Sequence, residues 1–387
     1  MHRFHSLIAR AAALAFAAAT ATGALAVKNS YVVDIVVSDG FIATPNVDTH
    51  LVNGWGIAFN PNGFVWVADN ETGVSTLYDG LGRPAPIGNP LVVTIPQAPG
   101  NTEHGKPTGI VFSGSSDFVV SSGGQSGPSR FLFATEDGLI AGWAPGVDFT
   151  HAIQAYPAIG APASAAVYKG LALASSGGAN FLYATDFVGG KIDVFDATFT
   201  PVTMPGGFVD PTLPKDFAPF NIQNVGGHLI VTYAKREEGD DEETVGPGLG
   251  AVNEFDASGN LIRRIAQRGK LNAPWGVALA PPTFGKFAGD LLIGNFGDGT
   301  INAYDLLSGN FRGQLKGADH RVLRLDGLWG MAFGNDLFDQ PRGTLFFAAG
   351  PDDENHGMYG AITPSPSNGD DAEDDDEDED DGEAGSG

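Results

Sequence analysis

Oxygen-bearing side chains recur at corresponding points along this chain, each at or beside a short apolar segment. Asp69, Asp186 and Asn295 each end such a segment, and Asn221 lies inside another. Hard cations such as Ca²⁺ take six to eight oxygen ligands of this kind. The four residues therefore predict a site for Ca²⁺ or another divalent cation. A role in turns is the competing interpretation, because Asp and Asn at strand ends commonly accept hydrogen bonds from backbone N–H groups.

A second group of polar residues occupies the loops around the same segments. Charged and amide side chains at these places could bind a small molecule, a glycan or a protein. The ligand-binding residues predicted there are Asn53, Lys106, Lys169, Asn221, Lys235, Asp298 and Asp353. Trp55, Trp275 and Trp329 also recur at equivalent positions, where they predict either packing between repeats or stacking on a ring-shaped ligand.

Several kinds of catalysis are excluded by what the sequence lacks. The chain has no cysteine, which rules out thiol nucleophiles and thiolate-bound metals. It has no P-loop, no dinucleotide fingerprint and no G-x-S-x-G nucleophile motif. His104 next to Glu103, and His356 near Asp353 and Glu354, are the histidines that could act as bases. No nucleophile is evident beside either one, which favours exposed loop histidines.

Six similar segments indicate what must position these residues. The segment 53–59 (NGWGIAF) resembles 106–112 (KPTGIVF), 273–279 (APWGVAL) and 327–333 (GLWGMAF), and weaker copies stand between them. We call the central residue of each copy its pivot. The pivots are Gly56, Gly109, Gly170, Asn221, Gly276 and Gly330, at spacings of 51 to 61 residues.

Each pivot is followed by four short strands with turns between them. The second strand ends in a polar turn and the third in an aromatic–Asp pair, whose Asp predicts a turn (Asp79, Asp196, Asp256 and Asp305). Four short strands in each unit of about 50 residues are typical of a propeller blade. The sequence therefore predicts an all-β, six-bladed β-propeller with four antiparallel strands per blade.

Closure of the ring requires a strand from the other end of the chain. The sixth unit offers three strands, and the strand 31–37 (YVVDIVV) precedes the first pivot without a unit of its own. Because an open propeller leaves unpaired sheet edges, we expect this N-terminal strand to complete the last blade. The segment Arg236–Glu243 is a charged insertion in the fourth unit, predicted as a mobile surface loop, with a lid as the alternative.

The two ends of the chain differ from the repeats. Residues 1–26 have early arginines, an Ala/Leu-rich stretch and a small-x-small cleavage pattern, which predict a signal peptide and export to the periplasm or the outside of the cell. Residues 27–363 are the predicted propeller, and 364–387 are predicted to be a disordered acidic tail with twelve acidic side chains between Asp370 and Glu383. The net charge of −25 and the lack of a basic patch exclude nucleic acid as a partner. We expect a monomer without a membrane span.

The repeat as a whole resembles NHL-repeat and regucalcin/gluconolactonase-like six-bladed propellers. It is more closely similar to a family of uncharacterised exported bacterial proteins, some of which carry a PEP-CTERM sorting signal. The matching stretches include 66–73 (WVADNETG), 133–138 (FATEDG) and 294–299 (GNFGDG), within a likeness that spans about 31–362. No PEP-CTERM motif follows Ile362.

Two functions follow as expectations. The first is a binding or recognition module that acts through the central channel face. The second is a divalent-metal-dependent hydrolase or lactonase of the gluconolactonase-like type, because the resemblance implies a cation held by acidic and Asn residues in the channel. A propeller fold by itself does not decide between them.

Overall fold

In the computed structural model, which describes residues 28–365, the chain forms six β-sheets of four main strands each. The sheets are arranged as the blades of a propeller, so the predicted six-bladed, all-β fold class is confirmed. In every blade the innermost strand is the one that carries the pivot. The signal peptide predicted at 1–26, residue 27 and residues 366–387 of the predicted tail lie outside the described residues.

The first three blades follow one another along the chain, each with its strands in order from the channel outward. The strands of blade 1 are Gly54–Phe59, Val65–Asp69, Val74–Tyr78 and Val92–Thr94. The strands of blade 2 are Pro107–Phe112, Phe131–Thr135, Ile140–Trp143 and Ile153–Tyr156, with a separate hairpin of Val119–Ser122 and Gln125–Pro128. The strands of blade 3 are Tyr168–Ser176, Ala179–Asp186, Lys191–Phe195 and Pro201–Val202.

The other three blades repeat this order with small additions. The strands of blade 4 are Phe217–Val225, His228–Arg236, Gly250–Phe255 and Leu261–Gln267, and Glu243–Thr244 pairs with the second of them. The strands of blade 5 are Pro274–Leu279, Leu291–Asn295, Ile301–Tyr304 and Phe311–Gln314. The strands of blade 6 are Leu328–Phe333, Leu345–Ala349, Met358–Pro364 and Tyr31–Ser38. Two short 3₁₀ helices are Asn70–Thr72 and Gly285–Phe287.

The predicted closure is confirmed by the pairing of the two chain ends in blade 6. Tyr31–Ser38 lies antiparallel to Met358–Pro364, with Tyr31 opposite Pro364 and Ser38 opposite Met358. The strand Asn46–Val47 adds a short parallel pairing on its outer side. Residues from the first and the last parts of the described chain therefore share one sheet, which closes the ring.

The pivots hold neighbouring blades together around the channel. A methyl group added at Gly109 would lie 2.4 Å from the backbone nitrogen of Leu171 in the next blade, and one at Gly330 would lie 2.5 Å from the carbonyl oxygen of Trp55. Only glycine permits so close a backbone approach. In blade 4 the pivot is Asn221, whose side-chain amide instead donates a 2.8 Å hydrogen bond to the carbonyl of Trp275 in blade 5. The repeated glycine is thus a packing requirement of the ring.

Apolar side chains fill the space between adjacent blades, as two examples show. Trp66 of blade 1 stacks on Phe131 of blade 2 with ring centroids 4.1 Å apart. Tyr78 of blade 1 stacks on Tyr359 of blade 6 at 5.3 Å. Buried aromatic pairs contribute about 0.5–1.5 kcal/mol each beyond the area they remove from water. Both neighbours of blade 1 are therefore bound to it by the same kind of contact.

The aspartates of the aromatic–Asp pairs form turns, as predicted. Asp196 accepts hydrogen bonds from the backbone nitrogens of Thr198 and Thr200, and Asp256 accepts them from Ser258 and Asn260. Asp79 and Asp305 do the same in their own blades. Neither of the helices within residues 28–365 has the length and apolar content needed to cross a membrane.

Candidate functional site

The residue before each pivot lies on the innermost strand of its blade. In all six blades this strand has a β-bulge or similar irregularity at or next to the pivot, and a bulge re-aims nearby side chains. These preceding residues are Trp55, Thr108, Lys169, Phe220, Trp275 and Trp329. All six are buried. We call the four aromatic members (Trp55, Phe220, Trp275 and Trp329) the aromatic plug.

The aromatic plug closes the channel just below its mouth. Trp55 stacks on Trp329 with centroids 3.8 Å apart, and Trp275 meets Trp329 edge-on at 5.8 Å. On the pivot side of the plug, a cavity of about 10 Å³ is lined by residues including Gly56, Asn221 and Gly330, which is close to the space of one water molecule. A ligand larger than water therefore does not fit in this cavity below the plug. The burial of the tryptophans agrees with packing between blades rather than with stacking on a ligand.

Lys169 is the one charged side chain among the six residues at this level, and it is surrounded by glutamates. Its side chain is only 1% exposed. The ammonium nitrogen lies 3.1 Å from Oε1 of Glu136, 3.0 Å from Oε2 of Glu242 and 3.8 Å from Oε2 of Glu243. It also stands 5.4 Å from the centre of the Trp55 ring, within the range of a cation–π contact. Glu354 acts electrostatically on the same group. We call Glu136, Glu242, Glu243 and Glu354 the glutamate ring.

The glutamate ring is assembled from loops of three blades. Glu136 follows the second strand of blade 2, and its other oxygen accepts a 2.9 Å hydrogen bond from the amide of Asn70 in blade 1. Glu242 and Glu243 belong to the charged insertion of blade 4, which the sequence predicts as a mobile loop or a lid. In the structure this insertion reaches over the mouth, and its two glutamates contact Lys169 of blade 3.

Glu354 of blade 6 is positioned by a turn with a strained backbone. Asp352, Asp353 and Glu354 have φ values of 58°, 51° and 66°, so three successive non-glycine residues are left-handed. Each such residue costs of the order of 1–3 kcal/mol, and strain of this kind clusters at functional sites. The carboxylate of Glu354 accepts a short hydrogen bond from the side chain of Asn53, which is itself left-handed at φ 48°. The backbone is therefore strained on both sides of this contact.

Burial and mutual repulsion change how the glutamate ring ionises. Desolvation, together with repulsion from the carboxylates of Glu243 and Glu136, raises the pKa of Glu354 to about 8. Desolvation raises the pKa of Glu243 to about 7, although the nearby ammonium of Lys169 opposes the rise. Burial alone would lower the pKa of Lys169, but Glu136, Glu243 and Glu242 outweigh it and raise that pKa well above its usual value. Near neutral pH the site thus holds one ammonium, two carboxylates that are ready to give or take a proton, and further acidic groups.

Three buried polar atoms at this site have no hydrogen-bond partner within residues 28–365. They are Oε2 of Glu243, whose side chain is 3% exposed, the indole nitrogen of Trp55 and Oδ1 of Asn70, the last two in residues that are each 1% exposed. Leaving a buried polar group unpaired costs about 1–3 kcal/mol. The site therefore has unused hydrogen-bonding capacity directly beside Lys169.

The structure places the predicted ligand-binding residues in different settings. Asn53 and Lys169 belong to the mouth, and Asn221 lies in the channel wall below the plug. The other four have no contact with the Lys169 ammonium among the ion pairs described above. Lys106 is half-buried, Lys235 pairs with Glu237, Asp298 accepts hydrogen bonds from Asn295 and Thr300, and Asp353 is exposed next to Glu354.

The four predicted metal ligands are each in a different setting. Asp186 accepts hydrogen bonds from the backbone of Val167 and Gly189 and pairs with Lys191. Asn295 bonds Lys270, Asn272, Asp298 and Thr300, and Asn221 bonds Trp275. Asp69 is fully buried with both oxygens unpartnered, and desolvation raises its pKa well above the usual range.

The contacts of Asp186, Asn221 and Asn295 are those of turn and packing residues, whereas the carboxylate oxygens of Asp69 have no hydrogen-bond partner within the described chain. In residues 28–365, no group of three or more His, Asp or Glu side chains has an arrangement that would hold a metal ion. No chemical step is assigned to a cation at Asp69, Asp186, Asn221 and Asn295. Binding of Ca²⁺ or another divalent cation stays a prediction for metal analysis of the purified protein.

The sequence points to Lys169 and Asn53 but misses the glutamate ring. Glu136 lies inside a stretch that carries the family resemblance, and Glu354 stands next to the predicted Asp353. Both glutamates follow the second strand of a repeat unit, and this shared position is the sequence signal that could have identified them. Glu242 and Glu243 lie in an insertion that is absent from the other repeats, so the repeat could not place them. The side chain of His356 pairs with Asp39 at 2.8 Å, and its backbone carbonyl accepts a hydrogen bond from the backbone nitrogen of Asn53.

No protein-family model matches the chain. Two uncharacterized proteins of Acanthamoeba polyphaga mimivirus resemble it over most of their length. The one named R648 is 31% identical over 337 residues, which are 85% of this chain and 79% of that protein. The one named L690 is 32% identical over 336 residues, which are 85% of each. The likeness to exported bacterial propellers stays a prediction, because these relatives are viral.

Solved structures of similar fold share far less sequence. A glucose dehydrogenase aligns over 87% of this chain and 100% of its own length, with a TM-score of 0.50 and 13% identity. A streptogramin B lyase aligns over 87% of this chain and 98% of its own, with a TM-score of 0.46 and 14% identity. At this level of identity the likeness concerns the fold alone.

Proposed function

The chain belongs to the family of these two mimivirus proteins, and we propose that it acts as a binding module that recognises a small molecule at the channel mouth. The glutamate ring, Lys169 and Asn53 would form the recognition surface. The aromatic plug would form its floor. This proposal concerns the site alone, since many unrelated activities share the propeller fold.

The observation that carries the proposal is that side chains whose burial or backbone conformation lowers stability converge on one point. Blades 1, 2, 3, 4 and 6 each send a polar or charged side chain to the Lys169 ammonium or to the glutamates around it. Buried charges and left-handed residues lower stability unless other interactions compensate. Such features concentrate where a protein binds or reacts, and perturbed ionisable groups in a cleft are a recognised sign of a functional site.

A panel of small molecules tests the proposal directly. The purified protein would be titrated with amines, sugars, carboxylates and neutral amides while the indole N–H signals of its five tryptophans are followed by NMR. Three of these tryptophans belong to the aromatic plug, so ligands at the mouth should move their signals. We expect at least one chemical class to produce saturable shifts that are lost in Glu136→Gln. If no class perturbs the plug signals, the proposal is wrong.

A second candidate function is acid–base hydrolysis, and the pKa values of two carboxyl groups favour it. Glu354, with a pKa of about 8, and Glu243, with a pKa of about 7, are poised near neutral pH as general acids or bases require. One carboxyl group could protonate a leaving oxygen while a second, ionised carboxylate takes a proton from the attacking water. Assays with lactones and esters test this: hydrolysis by the native chain that Glu354→Gln and Glu243→Gln each abolish would support an enzyme.

A further inference from the structure

The acidic groups at the mouth outnumber the basic ones four to one. Glu136, Glu242, Glu243 and Glu354 face the single ammonium of Lys169, so the fully ionised site would carry three uncompensated negative charges. Buried charges of one sign require a counter-charge or protons. Lys169 supplies the first counter-charge. We propose that a small organic cation with a primary ammonium group supplies the second, and this inference rests on the proposed binding function.

Lys169 itself shows which chemistry the glutamate ring accepts. Its ammonium group contacts carboxylate oxygens at 3.0 and 3.1 Å and lies over the ring of Trp55 at 5.4 Å. A ligand ammonium carries the same three N–H donors and the same charge. It could donate a hydrogen bond to Oε2 of Glu243, which lies 3.8 Å from the Lys169 ammonium and accepts no hydrogen bond within residues 28–365. The ligand would therefore add a second cation to carboxylates that already hold one.

Solvent reaches the glutamate ring on the side where Glu242 lies. The side chain of Glu242 is 60% exposed, whereas those of Glu136 and Glu243 are 16% and 3% exposed. The ring thus has an open side and a buried side. A linear alkylammonium ion would place its charged end among the carboxylates and leave its alkyl chain on the open side, near Glu242. A fully hydrated divalent ion would have to lose its water without a group of three carboxylates arranged for it among the described residues.

The test compares three probes of similar size and different charge: butylammonium, 1-butanol and butyrate. Each would be titrated into the full chain while the plug tryptophan signals are followed. Butylammonium should give saturable shifts that the other two do not give. Glu354→Gln and Glu242→Gln should each weaken its binding at least tenfold, and the exposed Glu242 keeps the test valid if Glu354→Gln does not fold. Glu238→Gln is the matched control, because it removes one negative charge from an exposed residue of the same insertion as Glu242, and it should change binding less than twofold.

The possible results separate the two proposals. If 1-butanol or butyrate shifts the same signals as strongly as butylammonium, the site binds small molecules but the cation inference is wrong. If butylammonium binds but Glu238→Gln weakens it as much as Glu242→Gln does, general surface charge explains the binding and the inference is again wrong. If butylammonium gives no shift while the wider panel finds a neutral ligand, the binding function stands without the cation.

Discussion

The indole nitrogen of Trp329 donates a 2.9 Å hydrogen bond to the side-chain oxygen of Asn53. The nitrogen of the same Asn53 amide donates to Glu354. One buried side chain of blade 1 therefore links the aromatic plug to the glutamate ring, and both partners come from blade 6. The aromatic plug and the glutamate ring are thus connected through Asn53, at the contact between blades 1 and 6.

Replacement of Asn53 should separate its side-chain role from its backbone role. Asn53→Gly keeps the left-handed backbone but leaves Trp329 unpaired, which should lower the free energy of unfolding by about 1–3 kcal/mol. Asn53→Ala should cost roughly 1–2 kcal/mol more, because a Cβ is unfavourable at positive φ. Urea denaturation measures both. Equal stability of the two variants would show that the backbone strain is unimportant.

Lys169→Met should destabilise the protein more at pH 9 than at pH 6. Removing one partner of a buried ion pair typically costs about 3–5 kcal/mol, because the other charges stay buried without compensation. At pH 6 the protons on Glu243 and Glu354 relieve part of that charge, and at pH 9 they have been lost. Chemical denaturation at the two pH values checks this. The half-buried Lys106→Met serves as the control and should show little change at either pH.

The pH dependence of stability should report the raised pKa of Glu354. Between its ordinary value of 4.5 and about 8, the folded state keeps the proton that the unfolded state has lost. The free energy of unfolding therefore falls as pH rises through this window. In Glu354→Gln this fall should be smaller, while Asp353→Asn should follow the wild-type curve. Parallel curves for wild type and Glu354→Gln between pH 5 and 8 would contradict the assignment.

The pivot glycines should tolerate substitution by alanine far less well than other glycines do. In Gly109→Ala the new Cβ would meet the backbone of Leu171 at 2.4 Å, so blades 2 and 3 must move apart, at a cost of roughly 1–3 kcal/mol or more. Gly146→Ala is the matched control, because a Cβ there has open space and no positive φ. It should stay within about 0.5 kcal/mol of wild type. Thermal denaturation of the two variants measures the difference.

A disulfide across the closing strands should form and stabilise the ring. Val32 lies opposite Thr363 in the antiparallel pair, and the chain has no cysteine of its own to interfere. Val32→Cys with Thr363→Cys should raise the melting temperature under oxidising but not reducing conditions, since a very long loop is closed. Val32→Cys with Ala361→Cys, which is two residues out of register, should form far less disulfide by thiol titration. Equal oxidation of both pairs would contradict the observed register.

The fold could be predicted because each blade repeats the same local rule. Gly56, Gly109 and Gly330 stand at one position of the repeat for one physical reason, the close approach of the next blade. The closing strand could be predicted because an unpaired edge is unfavourable and only one strand was left over. These inferences need only spacing, alternation and pairing, which a sequence shows directly.

The site could be predicted only in part, because it depends on departures from the repeat. Lys169 and Asn53 occupy repeat positions, which made them predictable. Glu242 comes from an insertion, 73 positions along the chain from the Lys169 that it contacts. Glu354 reaches the mouth through three left-handed residues for which no glycine gave a signal. Asp186 accepts hydrogen bonds from the backbone nitrogens of Val167 and Gly189, so the residue type that predicts an oxygen ligand at a strand end equally predicts a turn.

The meeting of the two ends in blade 6 also fixes the direction in which the molecule can be held. The hydroxyl oxygens of Ser30 and Ser365 are 2.9 Å apart, and the strand Met358–Pro364 runs from the Glu354 loop to the opposite face. Ser30 and Ser365 therefore lie side by side, near the two limits of the described residues. A tether attached at either serine would orient the glutamate ring outward, away from the surface to which the protein is fixed.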